Sequence, residues 1–308
     1  MHDRGGKRHE VVFTPGKKHL LRLVNTGSEV TFRFGIDKHK MTVVAMDFVP
    51  IIPYETSTIL LAVGQRYDVI VEADQVAGSY WARAVPMLTC FAINLMSQNV
   101  RAIVRYDSSS TGEPSSLGHV MLDTCRDEDL ACLMPHIPHS VGASAMTQAF
   151  TALPLPNTND SLALRWQVGG PIPYKSPKDS PVSDRILSTP LFDQLDISSS
   201  FVPIDLTALP KHSWVYIVVE SFLPLPHPLH LHGHDTYVLA RGGGPYLDSL
   251  IELETINPPR RDTVNLPQNG FLVLAFETDN PGAWILHCHI EWHLHDGFAM
   301  SMLEGRIG

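Results

Sequence analysis

Residues 58 to 71 read Thr-Ile-Leu-Leu-Ala-Val-Gly-Gln-Arg-Tyr-Asp-Val-Ile-Val, two short apolar runs on either side of a Gly64-Gln65 break. Runs this short, rich in β-branched and aromatic side chains and bounded by turn residues, read as strands. Upstream, Leu20–Val24, Val30–Phe34 and Met41–Val44 repeat the pattern, broken at Asn25-Thr26-Gly27 and Asp37-Lys38. A succession of short strands with frequent turn signals predicts a β-sandwich or barrel. Residues 107 to 113, with four hydroxyl residues in a row before Gly112-Glu113-Pro114, mark the end of this first domain, 1–115. A Pro-rich connection follows, with 116–150 as linker, and a second β-rich domain spans 151–308, beginning its strands near Leu162. Its clearest strands are Trp214–Val219, Phe271–Phe276 and Trp284–Leu286, the last after a turn at Asp279-Asn280-Pro281-Gly282. The fold class is all-β, two β domains in tandem.

A chain of 308 residues with 44% hydrophobic content can bury a substantial core, and its length suits about two domains. The net charge of −9 argues against nucleic acid as a partner. No apolar run approaches the ~18 residues needed to cross a bilayer, so no membrane association is expected. Met1 to Glu10 is polar and charged where a secretory signal would be apolar, so no export signal is expected in this chain. Cys90, Cys125, Cys132 and Cys288 form no C-x-x-C pair, which weakens zinc-ribbon and thioredoxin readings. If Cys288 binds metal, the other three make one disulfide and one free thiol, an arrangement of oxidising compartments. Asn159-Asp160-Ser161 is a glycosylation sequon that would agree with such a compartment.

The chemistry concentrates in two segments. His227-Pro228-Leu229-His230-Leu231-His232-Gly233-His234 and His287-Cys288-His289-Ile290-Glu291-Trp292-His293-Leu294-His295 hold eight of the sixteen histidines. On a strand, side chains at i and i+2 share a face, so His287 and His289 reach one side and Cys288 the other. His230 and His232 likewise share a face, while His227 has the opposite parity and can join Cys288. His293 can return to the same point after a turn. One thiolate, two imidazoles and a weak or absent axial ligand describe a blue-copper site suited to one-electron transfer; zinc would recruit further cysteines. The axial candidate is Phe298, which cannot coordinate and so favours Cu(I) and a raised reduction potential; Met300 is assigned to the core. A single histidine is ordinarily a core or surface residue. Eight in two such clusters point to metal, with His234 and His295 lying behind the ligands or at the surface.

These motifs, with Pro258-Pro259-Arg260-Arg261-Asp262-Thr263, Thr278-Asp279-Asn280-Pro281-Gly282-Ala283-Trp284 and Val63-Gly64-Gln65-Arg66-Tyr67-Asp68, make the chain resemble the multicopper oxidases, most closely fungal laccases of ascomycete type, over nearly its whole length. The resemblance implies cupredoxin-like (plastocyanin-like) Greek-key domains, copper as cofactor and an extracellular setting. It further implies oxidation of phenols, such as lignin phenols or other diphenols, at a type 1 copper, with O2 reduced to water at a trinuclear cluster. Carried over by position, His227, Cys288 and His293 are the type 1 ligands, with Phe298 in the axial place. His230 is a type 2 ligand, and His232, His287 and His289 are type 3 ligands. His293 would also face the donor. Glu29, in Asn25-Thr26-Gly27-Ser28-Glu29, matches a substrate-pocket carboxylate able to accept a phenol's proton; read alone it is a loop acid. Asp262 and Glu291 could orient bound imidazoles or shape acidity near the type 1 site; read alone they are salt-bridge partners. Cys90 and Cys125 match a family disulfide, leaving Cys132 unpaired.

The same resemblance exposes a departure. The family's complete enzymes have three cupredoxin domains, the first supplying two His-x-His motifs and four ligands of the trinuclear cluster. Residues 1 to 226 hold no such motif: His2, His9, His19, His39, His119, His136, His139 and His212 are isolated. The chain is therefore expected to correspond to the second and third domains, with the type 1 site complete and half the cluster supplied. Copies of the chain lack the same ligands, so a first-domain segment is the partner required. The expected function is a laccase-type oxidase acting on a small phenol and O2 once so completed. The alternative is an electron-transfer or copper-binding module with no oxidase activity of its own.

Overall fold

The computed structural model describes residues 7–90, 100–157, 160–168 and 204–305; Asn159 of the sequon and His2 lie outside them. The chain divides into two compact units, Met1–Ile137 and Pro138–Gly308. No helix among the described residues is long and apolar enough to cross a membrane.

In the first unit the described strands are β1 (Glu10–Val12), β2 (Lys18–Val24), β3 (Phe32–Ile36), β4 (Met41–Met46), β5 (Val49–Thr56), β6 (Ile59–Leu61), β7 (Arg66–Glu72), β8 (Ser79–Pro86) and β9 (Arg101–Arg105). They form two sheets, ordered β1-β9-β8-β3-β6 and β2-β7-β4-β5, so the chain passes repeatedly from one to the other as in a Greek-key sandwich. Alternation builds the core: Tyr67, Val69 and Val71 of β7 are fully buried, whereas Asp68 and Ile70 between them are not. Met41, Val43, Ile36 and Phe13 complete that core.

The stretch 116–150, expected as linker, is divided between the units. Its early part is fastened to the first. Ser116 Oγ donates to Asp37, Glu128 accepts the Leu60 N–H at 3.0 Å, and buried Asp127 takes a hydrogen bond from Gln65 at 3.3 Å. Cys90 and Cys125 are disulfide-bonded with Cα atoms 5.2 Å apart, and Cys132 is a free, exposed thiol. Closing this loop stabilises the unit by roughly 4 kcal/mol in the chain-entropy account. These anchors are single polar residues with no apolar period, so the sequence pattern gives no strand here. The later part opens a strand of the second unit at Ser144.

The second unit holds β10 (Ser144–Asn157), β11 (Asp160–Val168), β12 (Ile204–Asp205), β13 (Trp214–Ser221), β14 (His227–Leu231), β15 (Thr236–Gly243), β16 (Arg260–Arg261), β17 (Thr263–Leu266), β18 (Gly270–Glu277), β19 (Gly282–Cys288) and β20 (Ala299–Glu304), with a one-turn helix α1 (Glu291–His295). The sheets run β11-β10-β13-β18-β15-β16 and β12-β20-β19-β14-β17. Strand β18 is buried on both faces. Leu272, Leu274 and Phe276 stand opposite Val219, Ile217 and Val215, while Phe271, Val273 and Ala275 pack with Tyr216, Val218 and Tyr237 beneath Tyr246, Ile251 and Leu253. The β14–β19 pair at the heart of the second sheet carries the histidine motifs.

Candidate metal centre

Strands β14 and β19 are antiparallel with Leu229 opposite Cys288 and His230 opposite His287. Opposed residues share a face, so His227, two residues before Leu229, stands on the Cys288 side, and His230 and His287 stand together on the other. After Cys288 the chain leaves the sheet, makes the single turn α1 and returns. The Cys288 N–H donates to the Phe298 carbonyl at 3.0 Å, and the Phe298 N–H donates to the His293 carbonyl at 2.7 Å. Gly297, at φ +108°, supplies the conformation that closes this return. His293 is thereby brought back beside Cys288.

On the first face, Cys288 Sγ lies 3.5 Å from His293 Nδ1 and 3.9 Å from His227 Nδ1, and the two Nδ1 atoms are 3.3 Å apart. Phe298 is buried beside them, its ring 5.0 Å from that of His227. Met300 pairs with Leu286 across β19 and β20 and is buried in the apolar interior. On the second face, His230, His232, His287 and His289 gather with ring centroids 4.8–5.8 Å apart. The His230 Nδ1 meets the Asp262 carbonyl at 2.9 Å and His287 Nδ1 meets the Cys288 carbonyl at 2.8 Å. A ring nitrogen facing a carbonyl oxygen must carry the proton, so each ring keeps a bare Nε2 lone pair. His232 Nε2 and His287 Nε2 converge to 3.0 Å, an arrangement of lone pairs that a metal cation satisfies.

The electrostatics leave imidazoles on both faces able to take a metal. Burial, with His293 adding to it, holds His227 well below the ordinary imidazole range, and burial pushes His293 and His287 down to about 4. Burial, then the neighbouring His230 and His289, also lowers His232. These imidazoles are neutral and ligand-ready at pH 7. Burial pushes the Cys288 thiol up, so its proton leaves only when a cation takes its place. We expect Cu(II) loading of this site at pH 7 to release one proton per copper, all from Cys288, and affinity to rise about tenfold per pH unit near neutrality. Below about pH 4 affinity should fall more steeply as His293 protonates as well. Indicator-dye titration measures the protons; two or more per copper would mean that the imidazoles start charged.

Other residues singled out from the sequence fall as follows. Asp262 sits between β16 and β17, its Oδ1 3.7 Å from His230 Nδ1. Thr263, directly opposite His230 across β14 and β17, places Oγ1 3.3 Å from the same nitrogen and donates to Asp262 at 2.8 Å. Sequence reasoning did not single out Thr263, though its place beside Asp262 in a strand-like run was a usable signal. Glu291 is exposed in the first turn of α1 and makes no hydrogen bond with a described imidazole. Glu29 belongs to the first unit, in the β2–β3 loop. Buried Asn25 shapes that loop, accepting from the Gly27 N–H and donating to the Val30 and Leu61 carbonyls. His234 is buried and His295 exposed.

A β-sandwich in which two adjacent strands and the turn α1 bring one thiol and two neutral imidazoles together, their ligand atoms within 4.8 Å of one another, has a cupredoxin-like site that could hold a metal ion, and soft sulfur with imidazole suits copper. Two sequence profiles described as multicopper oxidase match residues 2–109 and 179–307. Laccase-2 of Botryotinia fuckeliana is 40% identical over 312 aligned residues, covering 98% of this chain and 51% of the relative. Laccase-3 of the same fungus is 36% identical, with 96% of this chain and 67% of the relative covered. The crystal structure of laccase from Botrytis aclada matches with a TM-score of 0.85 at 38% identity, over 97% of this chain and 54% of that one. The chain belongs to the multicopper oxidase family, laccase type, and spans about half to two thirds of the length of these curated relatives.

Proposed function

We propose that the chain is the donor-oxidising part of a laccase, coupling one-electron oxidation of phenolic or diphenolic donors to reduction of O2 to water. The observation that carries this is the β14–β19 register, which joins the Cys288 triad to the four-imidazole face through single peptide links. His227, Cys288 and His293 would hold the type 1 copper, and the buried Phe298 ring beside them offers it no donor atom. His230 as type 2 ligand and His232, His287 and His289 as type 3 ligands would supply half the trinuclear site, the other four imidazoles coming from a first-domain segment outside these residues. Copper bound there supplies the one-electron acceptor and the O2-reducing centre. Glu29 would accept the phenol's proton, His293 would meet the donor, and the Asp262 carbonyl would hold the His230 tautomer. Asp262 and Glu291 would tune acidity around the ligands. The Cys90–Cys125 disulfide supports an extracellular setting.

A second reading, a copper-binding electron-transfer module, is favoured by one observation: residues 1 to 226 contain no His-x-His motif. To separate the two, the copper-loaded chain is reduced by a diphenol without air and then exposed to O2, with and without a separately produced first domain of a fungal laccase. We expect the blue thiolate–copper band to bleach in both samples and to return, with one O2 consumed per four electrons, only with the added domain. Return in air by the chain alone would show that no first-domain segment is needed. No return even with that domain would leave the module reading.

A further inference from the structure

His234 closes the first histidine motif, yet it belongs to neither ligand group. It is buried, with Nε2 2.8 Å from Glu304 Oε2, both side chains being 3% exposed. The contact lies off the ring's hydrogen-bond direction, since neither atom makes a hydrogen bond; it is a close contact of two enclosed polar groups. The other Glu304 oxygen accepts the Asn280 N–H at 2.8 Å, and Asn280 Nδ2 donates to the Gly233 carbonyl at 2.9 Å. The contacts thus close a ring: Gly233, Asn280, Glu304, His234. Trp284 Nε1 donates to the Asn280 carbonyl at 2.7 Å, and its indole lies where a Cβ on Gly233 would stand. Gly233 turns the chain at φ +78°, immediately after His232. The His232 N–H in turn donates to the Ile285 carbonyl on β19, the strand that carries His287.

Enclosing an imidazole and a carboxylate is unfavourable unless they compensate each other, and here that pair is tied to the turn that ends β14. We propose that His234 and Glu304 are a positioning pair that holds the His232 imidazole against that of His287, and so sets the metal affinity of the four-imidazole face. The proposal rests on the reading of those imidazoles as copper ligands. It predicts a selective defect, because His227, Cys288 and His293 stand on the other face of the strands and are closed by separate backbone hydrogen bonds through Phe298.

The test titrates Cu(II) into the full chain and into its His234→Phe and Glu304→Gln variants. It follows the blue band for the Cys288 centre and the total bound metal for the second face. Phe fills the space beside Phe276 and Trp284, and Gln keeps an acceptor for Asn280, so each variant alters the His234–Glu304 contact with little loss of volume. We expect an unchanged blue band and a loss of about tenfold to a hundredfold in affinity for copper beyond the first, as is usual when groups behind metal ligands are removed. Affinity within twofold of the parent in both variants would overturn the positioning role alone. Parallel loss of the blue band would also overturn it, since the pair would then be a general support of the unit. A parent chain that binds a single copper would overturn both the role and the ligand reading beneath it.

Discussion

Cys288→Ser is expected to abolish the blue centre while leaving the unit folded. Cys288 is fully buried, and serine is nearly isosteric, so the direct cost is that of enclosing a hydroxyl, about 1–3 kcal/mol. The backbone hydrogen bond from Cys288 to Phe298 and the pairing of β19 with β14 and β20 do not depend on the side chain. What disappears is the only soft donor able to become anionic on this face among the described residues. His227 and His293 alone offer two neutral imidazoles with Phe298 beside them, and affinity for copper should drop by more than about 100-fold, beyond the effect of losing an outer partner. The blue band should vanish, and with it the proton released on loading. Copper bound by the four-imidazole face should persist, because those rings stand on the opposite side of the strands. Cys132→Ser, which alters an exposed thiol of the other unit, is the matched control and should change none of these readings. A blue band surviving in Cys288→Ser would mean that the thiolate comes from elsewhere.

The features legible in the sequence are those that depend on parity and local breaks. Alternation separates His230 and His287 from His227 and Cys288 in the way the β14–β19 register shows, and only His293 needs the turn α1 to reach the Cys288 side. The all-β class was equally legible, because each expected run, such as Tyr67–Val71 or Phe271–Phe276, forms its own strand with its own turn signals. Strand β5 was not legible. It contains Pro50 and Pro53, which count against a strand, and the fold accepts them because β5 ends its sheet beside β4. The attachment of residues 116–133 was also hidden. It depends on Ser116, Asp127 and Glu128 meeting groups between 35 and 79 residues away, and no local period records such contacts. The same holds for the pairing of His234 with Glu304 across seventy residues of chain.

Arg83→Met should strongly destabilise the first unit. Arg83 grips Asp37 with Nε to Oδ1 at 2.7 Å and Nη2 to Oδ2 at 2.8 Å, and its Nη2 also donates to the Ser116 carbonyl at 3.1 Å. The hydrogen bond to Asp37 raises the Arg83 pKa, as expected for a guanidinium in a two-pronged pair. Asp37 is 1% exposed in its side chain, so removing the arginine leaves a buried carboxyl group whose remaining side-chain hydrogen bond among the described residues is that from Ser116. Breaking one side of such a pair costs about 3–5 kcal/mol, or roughly 10–15 °C in melting temperature for a unit of this size. The double variant Arg83→Met with Asp37→Leu should regain much of that loss, because replacing both partners by apolar groups removes the uncompensated charge. An equally large loss in the double variant would show that packing, not the charge, was at stake. The loosened Ser116 segment leads to Asp127 and Glu128, which hold Gln65 and Leu60 beside Asn25, the residue that shapes the Glu29 loop. If Glu29 has the donor role proposed above, Arg83→Met should therefore weaken binding of a phenolic donor, read by direct titration as a raised Kd, with the blue band of the copper-loaded chain unchanged.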